Sequence, residues 1–245
     1  YCLEGIIMWP KICQIGPLTI YSYGLMLALA YFVAAHLSAQ EASRQGLPKE
    51  KVFNFTFLVF ITGILGARAF YVISNFSYYA GDLKEILMFN HGGLSWFGGF
   101  FVGFGSGIWY IKKNKLPFYK LMDCLMPYVA LGQAIGRIGC YLNDCCFGKA
   151  ELLIPTQILS SMTALSIFMI LRITQTRPHK VGQILYLYMF LYSIKRFFIE
   201  FVRIDNPDVF LGLTLFQLIS IGMFVFASYK LLRLKFNKLP VASDK

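Results

Sequence analysis

The chain contains 245 residues, of which 57% are hydrophobic, 17% are aromatic and only 14% are charged. This composition excludes an ordinary soluble domain and is typical of a protein that crosses a membrane several times. The formal net charge of +11 arises mainly from basic residues between apolar runs. That pattern indicates membrane orientation rather than nucleic-acid binding.

Seven apolar stretches follow one another along the chain, each near the roughly 20 residues that a helix needs to cross a bilayer. They cover approximately residues 19–38, 52–74, 92–111, 121–141, 155–173, 183–202 and 213–232. These stretches predict an all-α polytopic membrane protein with seven transmembrane helices. Because no linker or low-complexity tract separates them, we predict a single transmembrane domain over residues 1–245.

Lysine and arginine residues are distributed unequally among the segments that flank these spans. Fifteen of them lie after spans one, three and five and in the C-terminal tail, whereas the alternate segments contain only four, which are Lys11, Lys84, Lys149 and Arg203. Because cytoplasmic segments are enriched in basic residues, the N-terminus is predicted outside and the C-terminus in the cytoplasm.

Ionisable side chains inside the spans mark the candidate functional site. Each costs about 2.5–3.5 kcal/mol on insertion scales, so it is retained only where it faces another polar group, water or a ligand. Spans two, four and six run from inside to outside and carry their ionisable residues near their outer ends. We therefore predict one outer-leaflet cavity lined by side chains from several helices. Its predicted lining residues are Tyr23, Arg68, His91, Arg137, Asn143, Tyr192, Arg196 and Glu200.

Span six carries a regular polar stripe, in which Tyr188, Tyr192, Arg196 and Glu200 are spaced four residues apart. Residues at this spacing share one face of an α-helix, and Arg196 and Glu200 become neighbours on its surface. A structural ion pair and a functional one both fit this pattern, and the sequence leaves both interpretations open.

Span three begins with a glycine-rich run. Small residues at Gly99, Gly103 and Gly107 predict a helix face that allows another helix to approach closely. Gly92 and Gly93 lie at the predicted outer end, where backbone N–H groups at a helix N-terminus favour an anion such as a lipid phosphate. Packing explains Gly103 and Gly107, and ligand binding is the interpretation that we favour for Gly92 and Gly93.

Several cysteines lie on the predicted outer side of the membrane. Because the outer face of a bacterial membrane is oxidising, we expect a disulfide among them, with its pairing left open. The candidates are Cys2, Cys13, Cys140, Cys145 and Cys146. Their spacing does not match the paired-ligand patterns of zinc sites, so no metal is predicted.

Six motifs occur in one order between about residue 16 and residue 230. They are Tyr23-Gly24-Leu25-Met26, Gly66-Ala67-Arg68, His91–Gly99, Gly136-Arg137-Ile138-Gly139, Asn143–Gly148 and Tyr192–Arg203. In this order they resemble the motifs of the prolipoprotein diacylglyceryl transferase family. The resemblance agrees with seven spans and an outside N-terminus.

The resemblance implies an enzyme of the bacterial plasma membrane that needs no cofactor. Such an enzyme transfers diacylglycerol from phosphatidylglycerol to the lipobox cysteine thiol of a prolipoprotein and releases glycerol-1-phosphate. Its expected partners are phosphatidylglycerol, the prolipoprotein signal peptide and membrane lipids, without nucleic acid. It is expected to be a monomer whose site faces outside the cytoplasm.

The resemblance also implies roles for individual residues. Arg137 and Arg196 would hold the phosphate and headgroup, and Glu200 would orient Arg196. Tyr23 would act from span one, and His91 completes the expected catalytic set. The residues expected to contact substrate are Arg68, Gly92, Gly93, Gly98, Gly99, Asn143, Gly148, Tyr192 and Arg203.

Two positions depart from the family's usual pattern, so the sequence is identified as a divergent member. Phe97 stands where the family usually has histidine, and Cys140 stands where it usually has asparagine. Two alternative functions stay open, namely a related membrane transferase with another acceptor and a lipid transporter or flippase. Transporters usually show broken helices and internal repeats, neither of which is evident here, and clustering of polar residues toward one leaflet favours an interfacial enzyme.

Overall fold

The computed structural model describes residues 11–15, 18–79, 86, 93–143, 145, 148, 155–203, 208–210, 212–236 and 241–242. These ranges contain eight helices and six short strands. The helices are α1 (Ser22–Arg44), α2 (Lys49–Ser74), α3 (Phe76–Tyr79), α4 (Trp96–Asn114), α5 (Phe118–Leu142), α6 (Thr156–Gln175), α7 (Gln183–Glu200) and α8 (Leu215–Phe236). The strands are β1 (Lys11–Ile15), β2 (Leu18–Tyr21), β3 (His179–Lys180), β4 (Asp208–Phe210), β5 (Leu213–Thr214) and β6 (Val241–Ala242).

A long helix lies at each of the seven predicted apolar stretches, which confirms the predicted all-helical class. The strands form three antiparallel pairs, β1 with β2, β3 with β6 and β4 with β5. Among the residues described, α1, α2, α6 and α8 are long and apolar enough to cross a membrane. The protein is therefore a multi-pass membrane protein, and the crossing of the other three long helices stays a prediction.

Several helix boundaries differ from the predicted ones. Residues 19–21 belong to β2 and residues 213–214 to β5, although both segments were expected to begin spans. The β-branched and aromatic side chains of Thr19, Ile20 and Tyr21 suit a strand better than a helix start. In contrast, α1 continues beyond residue 38 to Arg44, because a helix that has already formed extends readily through alanine, glutamine and glutamate.

Contacts divide the chain into two compact units, one formed by residues 38–118 and the other by residues 1–37 and 119–245. The prediction of a single transmembrane domain stays a prediction. Within residues 38–118, α2 packs along α4 through glycines. A Cβ atom added at Gly66 would lie 2.5 Å from Val102 Cβ and 2.7 Å from the Gly98 carbonyl oxygen. Such proximity leaves no room for a side chain.

The predicted packing face of span three is confirmed by the neighbours of its small residues. Added Cβ atoms at Gly99, Gly103 and Gly107 would each contact α2, at 3.1, 3.4 and 3.2 Å from the nearest atom. Thr62 and Ser106 form a hydroxyl–hydroxyl hydrogen bond of 2.7 Å across the same interface. This close approach relies on van der Waals contact and interhelical hydrogen bonds, as is usual for helices in lipid.

In the other unit, α5 contacts α1, α6 and α7. An added Cβ at Gly132 would lie 3.5 Å from Ala34 Cβ of α1, and Ser161 Oγ of α6 donates to the Ala134 carbonyl at 2.8 Å. A buried apolar cluster joins α5, α6 and α7 through Ala130, Ile167, Leu171 and Ile184. These contacts fix the helices that carry most of the predicted site.

A buried carboxylate on α5 determines where α7 begins. Asp123 is 2% exposed, and its two oxygens accept hydrogen bonds from the backbone N–H groups of Gly182 at 2.5 Å and Leu185 at 2.9 Å. The first N–H groups of a helix have no partner within the helix, so Asp123 supplies one from a neighbouring helix. This contact sets the register between α5 and α7, which carry Arg137 and Arg196 respectively.

Candidate active site

The polar stripe predicted on α7 is present. The rings of Tyr188 and Tyr192 stack with centroids 5.6 Å apart, and Arg196 Nη2 lies 3.1 Å from Glu200 Oε2. The Glu200 side chain is fully buried, whereas that of Arg196 is 15% exposed. Gln133 Nε2 of α5 donates to Tyr188 Oη at 2.8 Å, so the stripe faces α5.

Basic groups collect around this stripe. Arg137 of α5 lies close enough to Lys195 and Arg196 for their positive charges to repel one another, and the charge of Arg203 also acts on Arg196. Lys195 Nζ lies 6.0 Å from the centre of the Tyr192 ring, a weak cation–π distance. Among the residues that the structure describes, the cluster places four basic side chains around the carboxylate of Glu200. Such an excess of positive charge in an apolar environment favours an anionic ligand.

The beginning of α8 holds the ion pair from the other side. Thr214 Oγ1 donates to Glu200 Oε1 at 2.9 Å, and the Phe216 ring centre lies 4.5 Å from Arg196 Cζ. Thr214 also forms a reciprocal cap with Gln217, because each accepts the backbone N–H of the other, at 2.9 and 3.3 Å. Sequence reasoning missed these three residues. The available signal was a Thr-x-x-Gln capping box directly before an apolar run.

Tyr23 lies at the contact between α1 and α5. A Cβ added at Gly139 would be 2.8 Å from Met26 Cβ and 3.7 Å from Tyr23 Cδ2. Tyr23 therefore packs against Gly139, which lies two residues after Arg137 in α5. Asn143 follows α5 directly, and its backbone N–H donates to the Gly139 carbonyl at 3.0 Å. Both Tyr23 and Asn143 are half-buried.

Gly148 occupies a position that admits no side chain. It forms an antiparallel β-bridge with Arg203, and an added Cβ would overlap Thr156 Oγ1 and lie 2.8 Å from the Val202 carbonyl oxygen. The glycine thereby allows the segment after α5 to pair with the segment after α7. This pairing fixes the backbone of Arg203, which also donates its N–H to the Glu200 carbonyl at 3.2 Å.

Arg68 lies in the unit of residues 38–118 and binds backbone. Its Nε donates to the Ile86 carbonyl and its Nη1 to the Gly93 carbonyl, both at 3.1 Å. Its Cζ lies 5.3 Å from the centre of the Tyr79 ring. Gly93 has φ +75° and a Cβ there would lie 2.6 Å from Tyr71 Cε1, so only glycine fits. Arg68 thus binds the backbone at Ile86 and at Gly93, two described positions that precede α4.

The remaining predicted site residues are placed as follows. Gly98 is buried against α2, and Gly99 also faces α2, so packing accounts for both positions. Phe97, where the family usually has histidine, is 41% exposed and lies 5.3 Å from the Trp96 ring. His91 and Gly92 lie outside the described residues. The shared cavity that includes Arg68 and His91, and the substrate contacts of the glycines, stay predictions.

Cys140 and Cys145 are not bonded to each other. Cys145 Sγ donates to the Cys140 carbonyl at 3.6 Å, and the Cys145 backbone N–H donates to the same carbonyl at 3.2 Å. The disulfide expected among the outer cysteines stays a prediction. Cys2 and Cys146, and the side chain of Cys13, lie outside the described part of the chain.

Comparison with known proteins gives a consistent result. The sequence profile of the family described as "Prolipoprotein diacylglyceryl transferase" matches residues 10–233. A phosphatidylglycerol–prolipoprotein diacylglyceryl transferase of Clostridioides difficile (strain 630) is 33% identical over 195 residues, covering 75% of this chain and 79% of that protein. The protein of that name from Finegoldia magna is 31% identical over 236 residues, covering 91% and 94% of the two chains.

A second clostridial relative extends the agreement. The phosphatidylglycerol–prolipoprotein diacylglyceryl transferase 2 of Clostridium perfringens (strain 13 / Type A) is 33% identical over 232 residues, covering 86% of this chain and 90% of that protein. Profile and relatives both span the helices that carry Arg137, Arg196 and Glu200. The chain therefore belongs to the prolipoprotein diacylglyceryl transferase family.

Proposed function

We propose that this protein transfers the diacylglyceryl group of phosphatidylglycerol to the cysteine thiol of a prolipoprotein lipobox. The observation that carries the proposal is the basic cluster around Arg196, in which Arg137, Lys195 and Arg203 join the ion pair between Arg196 and the buried carboxylate of Glu200. Curated relatives that carry the name of this activity cover most of the chain. The enzyme is thus a membrane transferase of lipoprotein biosynthesis.

The reaction moves negative charge toward this cluster. The thiolate sulfur attacks the glyceryl carbon that carries the phosphate oxygen, so that a carbon–sulfur bond forms and the carbon–oxygen bond breaks. The bonding electrons pass to the phosphate, which leaves as glycerol-1-phosphate, and the thiol proton leaves to a base. Arginines already in position stabilise the developing charge strongly where water is excluded. Arg137 and Arg196 are the residues that we assign to this task.

The thiol must lose its proton before it attacks, because the thiolate is the nucleophile. A positive field favours the thiolate, and Arg137, Lys195, Arg196 and Arg203 together supply one. The two carboxylate oxygens of Glu200 already face Thr214 Oγ1 at 2.9 Å and Arg196 Nη2 at 3.1 Å. We therefore assign Glu200 to orienting Arg196. We assign to the field of the cluster the stabilisation of the thiolate, whose proton passes to water.

The proposal includes a place in the membrane. All seven long helices cross it, with the N-terminus outside and the C-terminus in the cytoplasm of a bacterial cell. The unequal distribution of lysine and arginine supports this orientation. It places the outer ends of α5 and α7, and with them Arg137 and Arg196, in the outer leaflet of the plasma membrane. Phosphatidylglycerol reaches the site from the lipid, and the monomer binds the prolipoprotein signal peptide.

The proposed function is tested with purified protein, phosphatidylglycerol vesicles and a synthetic lipobox peptide. We expect diacylglyceryl peptide and glycerol-1-phosphate in equal amounts. Arg137→Ala should nearly abolish both products, and Arg137→Lys should not restore them, because an ammonium cannot reproduce the planar donor fork of arginine on a phosphate. The matched control is Arg177→Ala, which changes an exposed arginine after α6 and should leave the rate unchanged.

The outcomes separate the candidate functions. Release of glycerol-1-phosphate without modification of the lipobox peptide would indicate a transferase with another acceptor. Phe97 and Cys140, which stand at positions where the family usually has other residues, are the reason to test this alternative. Movement of phosphatidylglycerol between leaflets without either product would indicate a flippase. Full activity of Arg137→Lys would mean that charge alone suffices and that the arginine fork is not needed.

A further inference from the structure

We propose that Thr214 is a positioning residue for this reaction, because its hydroxyl group fixes Glu200 and thereby sets the direction of the Arg196 guanidinium. The proposal rests on the proposed function and deepens it. It assigns a role at the site to the residue directly before α8. None of the six sequence motifs includes this residue.

The hydrogen-bond pattern determines where the Thr214 hydroxyl hydrogen points. A hydroxyl group has one hydrogen to donate and two lone pairs to accept. The backbone N–H of Gln217 can only donate, so the Thr214 oxygen must accept at this 3.3 Å contact. The single hydroxyl hydrogen is then available for Glu200 Oε1, 2.9 Å away. Thr214 is 6% exposed, so water has little access to this pair.

The partner residue Gln217 fixes the remaining freedom of Thr214. Gln217 Oε1 accepts the Thr214 backbone N–H at 2.9 Å, and Gln217 is itself 2% exposed. Backbone and side chain of Thr214 are therefore both held in the capping box at the start of α8. The cap holds the backbone at the start of α8 in one conformation. The hydrogen bond from Thr214 then fixes the position of Glu200 relative to that helix end.

Glu200 passes this constraint to the arginine. One carboxylate oxygen accepts from Thr214 Oγ1 at 2.9 Å and the other forms the ion pair with Arg196 Nη2 at 3.1 Å, so the carboxylate is held between β5 and α7. Phe216, two residues after Thr214 and in the first turn of α8, lies 4.5 Å from Arg196 Cζ. Thr214 thereby restrains the guanidinium through Glu200, and Phe216 restrains its face.

A purely structural capping role makes a different prediction, and three substitutions distinguish the two. Thr214→Ser keeps both the cap acceptor and the hydroxyl donor. Thr214→Val removes both at nearly constant shape. Thr214→Gly keeps a residue that favours the N-cap position but has no hydroxyl hydrogen to donate to Glu200. A capping role requires only a favourable N-cap residue, whereas the positioning role requires the hydroxyl donor.

The experiment measures kcat and KM for phosphatidylglycerol in the vesicle assay, together with the thermal unfolding midpoint of each purified variant. Thr214→Ser should stay within about threefold of wild type, and Thr214→Val should lose about 10–100-fold in kcat, the range expected when a catalytic group is misplaced by about 1 Å. Thr214→Gly should lose a similar amount of kcat while its unfolding midpoint stays close to that of the wild type, because glycine is tolerated at the N-cap. KM should change little, because the lost interaction is one that matters in the transition state.

The matched control is Thr163→Val on α6, where the hydroxyl donates only to backbone carbonyls of its own helix, at 2.9 and 3.1 Å. It should keep wild-type kcat. Thr214→Gly with wild-type kcat would overturn the positioning role, even if Thr214→Val fails to fold, and would leave the proposed function intact. A wild-type protein that forms no product would instead refute the proposed function itself.

Discussion

Two arginines in apolar helices, the buried Arg68 and the half-buried Arg196, differ in the groups that they bind. Arg68 on α2 donates to two main-chain carbonyl groups and lies against a tyrosine ring. Arg196 on α7 pairs with the carboxylate of Glu200 and lies against a phenylalanine ring. The same principle predicts a role for both, because a charge in an apolar span is retained only where it faces a polar group, water or a ligand. Their partners distinguish the roles that we predict for them.

The carbonyl partners of Arg68 are those of Ile86 and Gly93, two described positions before α4. Arg196 instead lies among other basic side chains, and the charges of Arg137 and Arg203 act on it. A cation that repels its neighbours is stabilised by an incoming anion. The comparison therefore predicts a structural role for Arg68 and a ligand-binding role for Arg196.

Of the two arginines compared, Arg196 should show the larger effect on the rate when it is changed to lysine. The ammonium group keeps the charge but cannot hold Glu200 and a phosphate oxygen in one plane as a guanidinium does. Transfer to the lipobox peptide should fall about 100-fold, as for other electrostatic donors removed from an active site, with an unchanged unfolding midpoint. Initial rates with phosphatidylglycerol vesicles measure this. A rate within tenfold of wild type would place Arg196 with Arg68 among the structural arginines.

Arg68→Lys should show the opposite balance. It loses the geometry of two hydrogen bonds from a charged donor, which contribute about 1.5–3 kcal/mol each, so the thermal unfolding midpoint should fall clearly. The rate per folded molecule should fall less than tenfold. Arg177→Lys, at an exposed position, serves as the control for the substitution itself. An unchanged midpoint with a 100-fold lower rate would move Arg68 into the catalytic site and remove the distinction.

The features that could be predicted from the sequence are those that depend on local spacing. The α7 stripe from Tyr188 to Glu200 follows from a repeat of four residues, and the close approach of α2 to α4 follows from small residues at Gly99, Gly103 and Gly107. Both are consequences of helix geometry. The helices themselves follow from runs of apolar residues, although strands replace the predicted beginnings of two spans.

The features that escaped prediction depend on contacts between distant segments. Thr214 lies 14 residues after Glu200, and its capping box is visible in the sequence, but the direction in which α8 returns is not. Asp123 likewise reads as an isolated acid, whereas its hydrogen bonds lie about 60 residues away, at Gly182 and Leu185. Arg68 is a third example, because the sequence does not distinguish an arginine that binds main-chain carbonyl groups from one that binds a ligand.

The smallest effect is expected from His91→Ala, which tests whether an imidazole takes part at all. The family's usual histidine is Phe97 here, and a phenyl ring cannot accept a proton, so His91 is the nearest replacement in sequence. His91 lies outside the described residues, between Ile86 and Gly93, whose carbonyl groups Arg68 holds.

If the field of the basic cluster provides most of the thiolate, His91→Ala should slow transfer only about threefold to tenfold, well below the 10²–10⁴-fold that a general base contributes. Arg137→Ala should remain close to inactive in the same assay. Comparison of the two variants over a pH series separates the causes, because a field-generated thiolate keeps its pH dependence when His91 is removed. Equal and complete loss of activity in both variants would identify His91 as the essential base. It would also show that the segment between Ile86 and Gly93 takes part in the reaction. The distinction between a structural Arg68 and a ligand-binding Arg196 would then no longer hold.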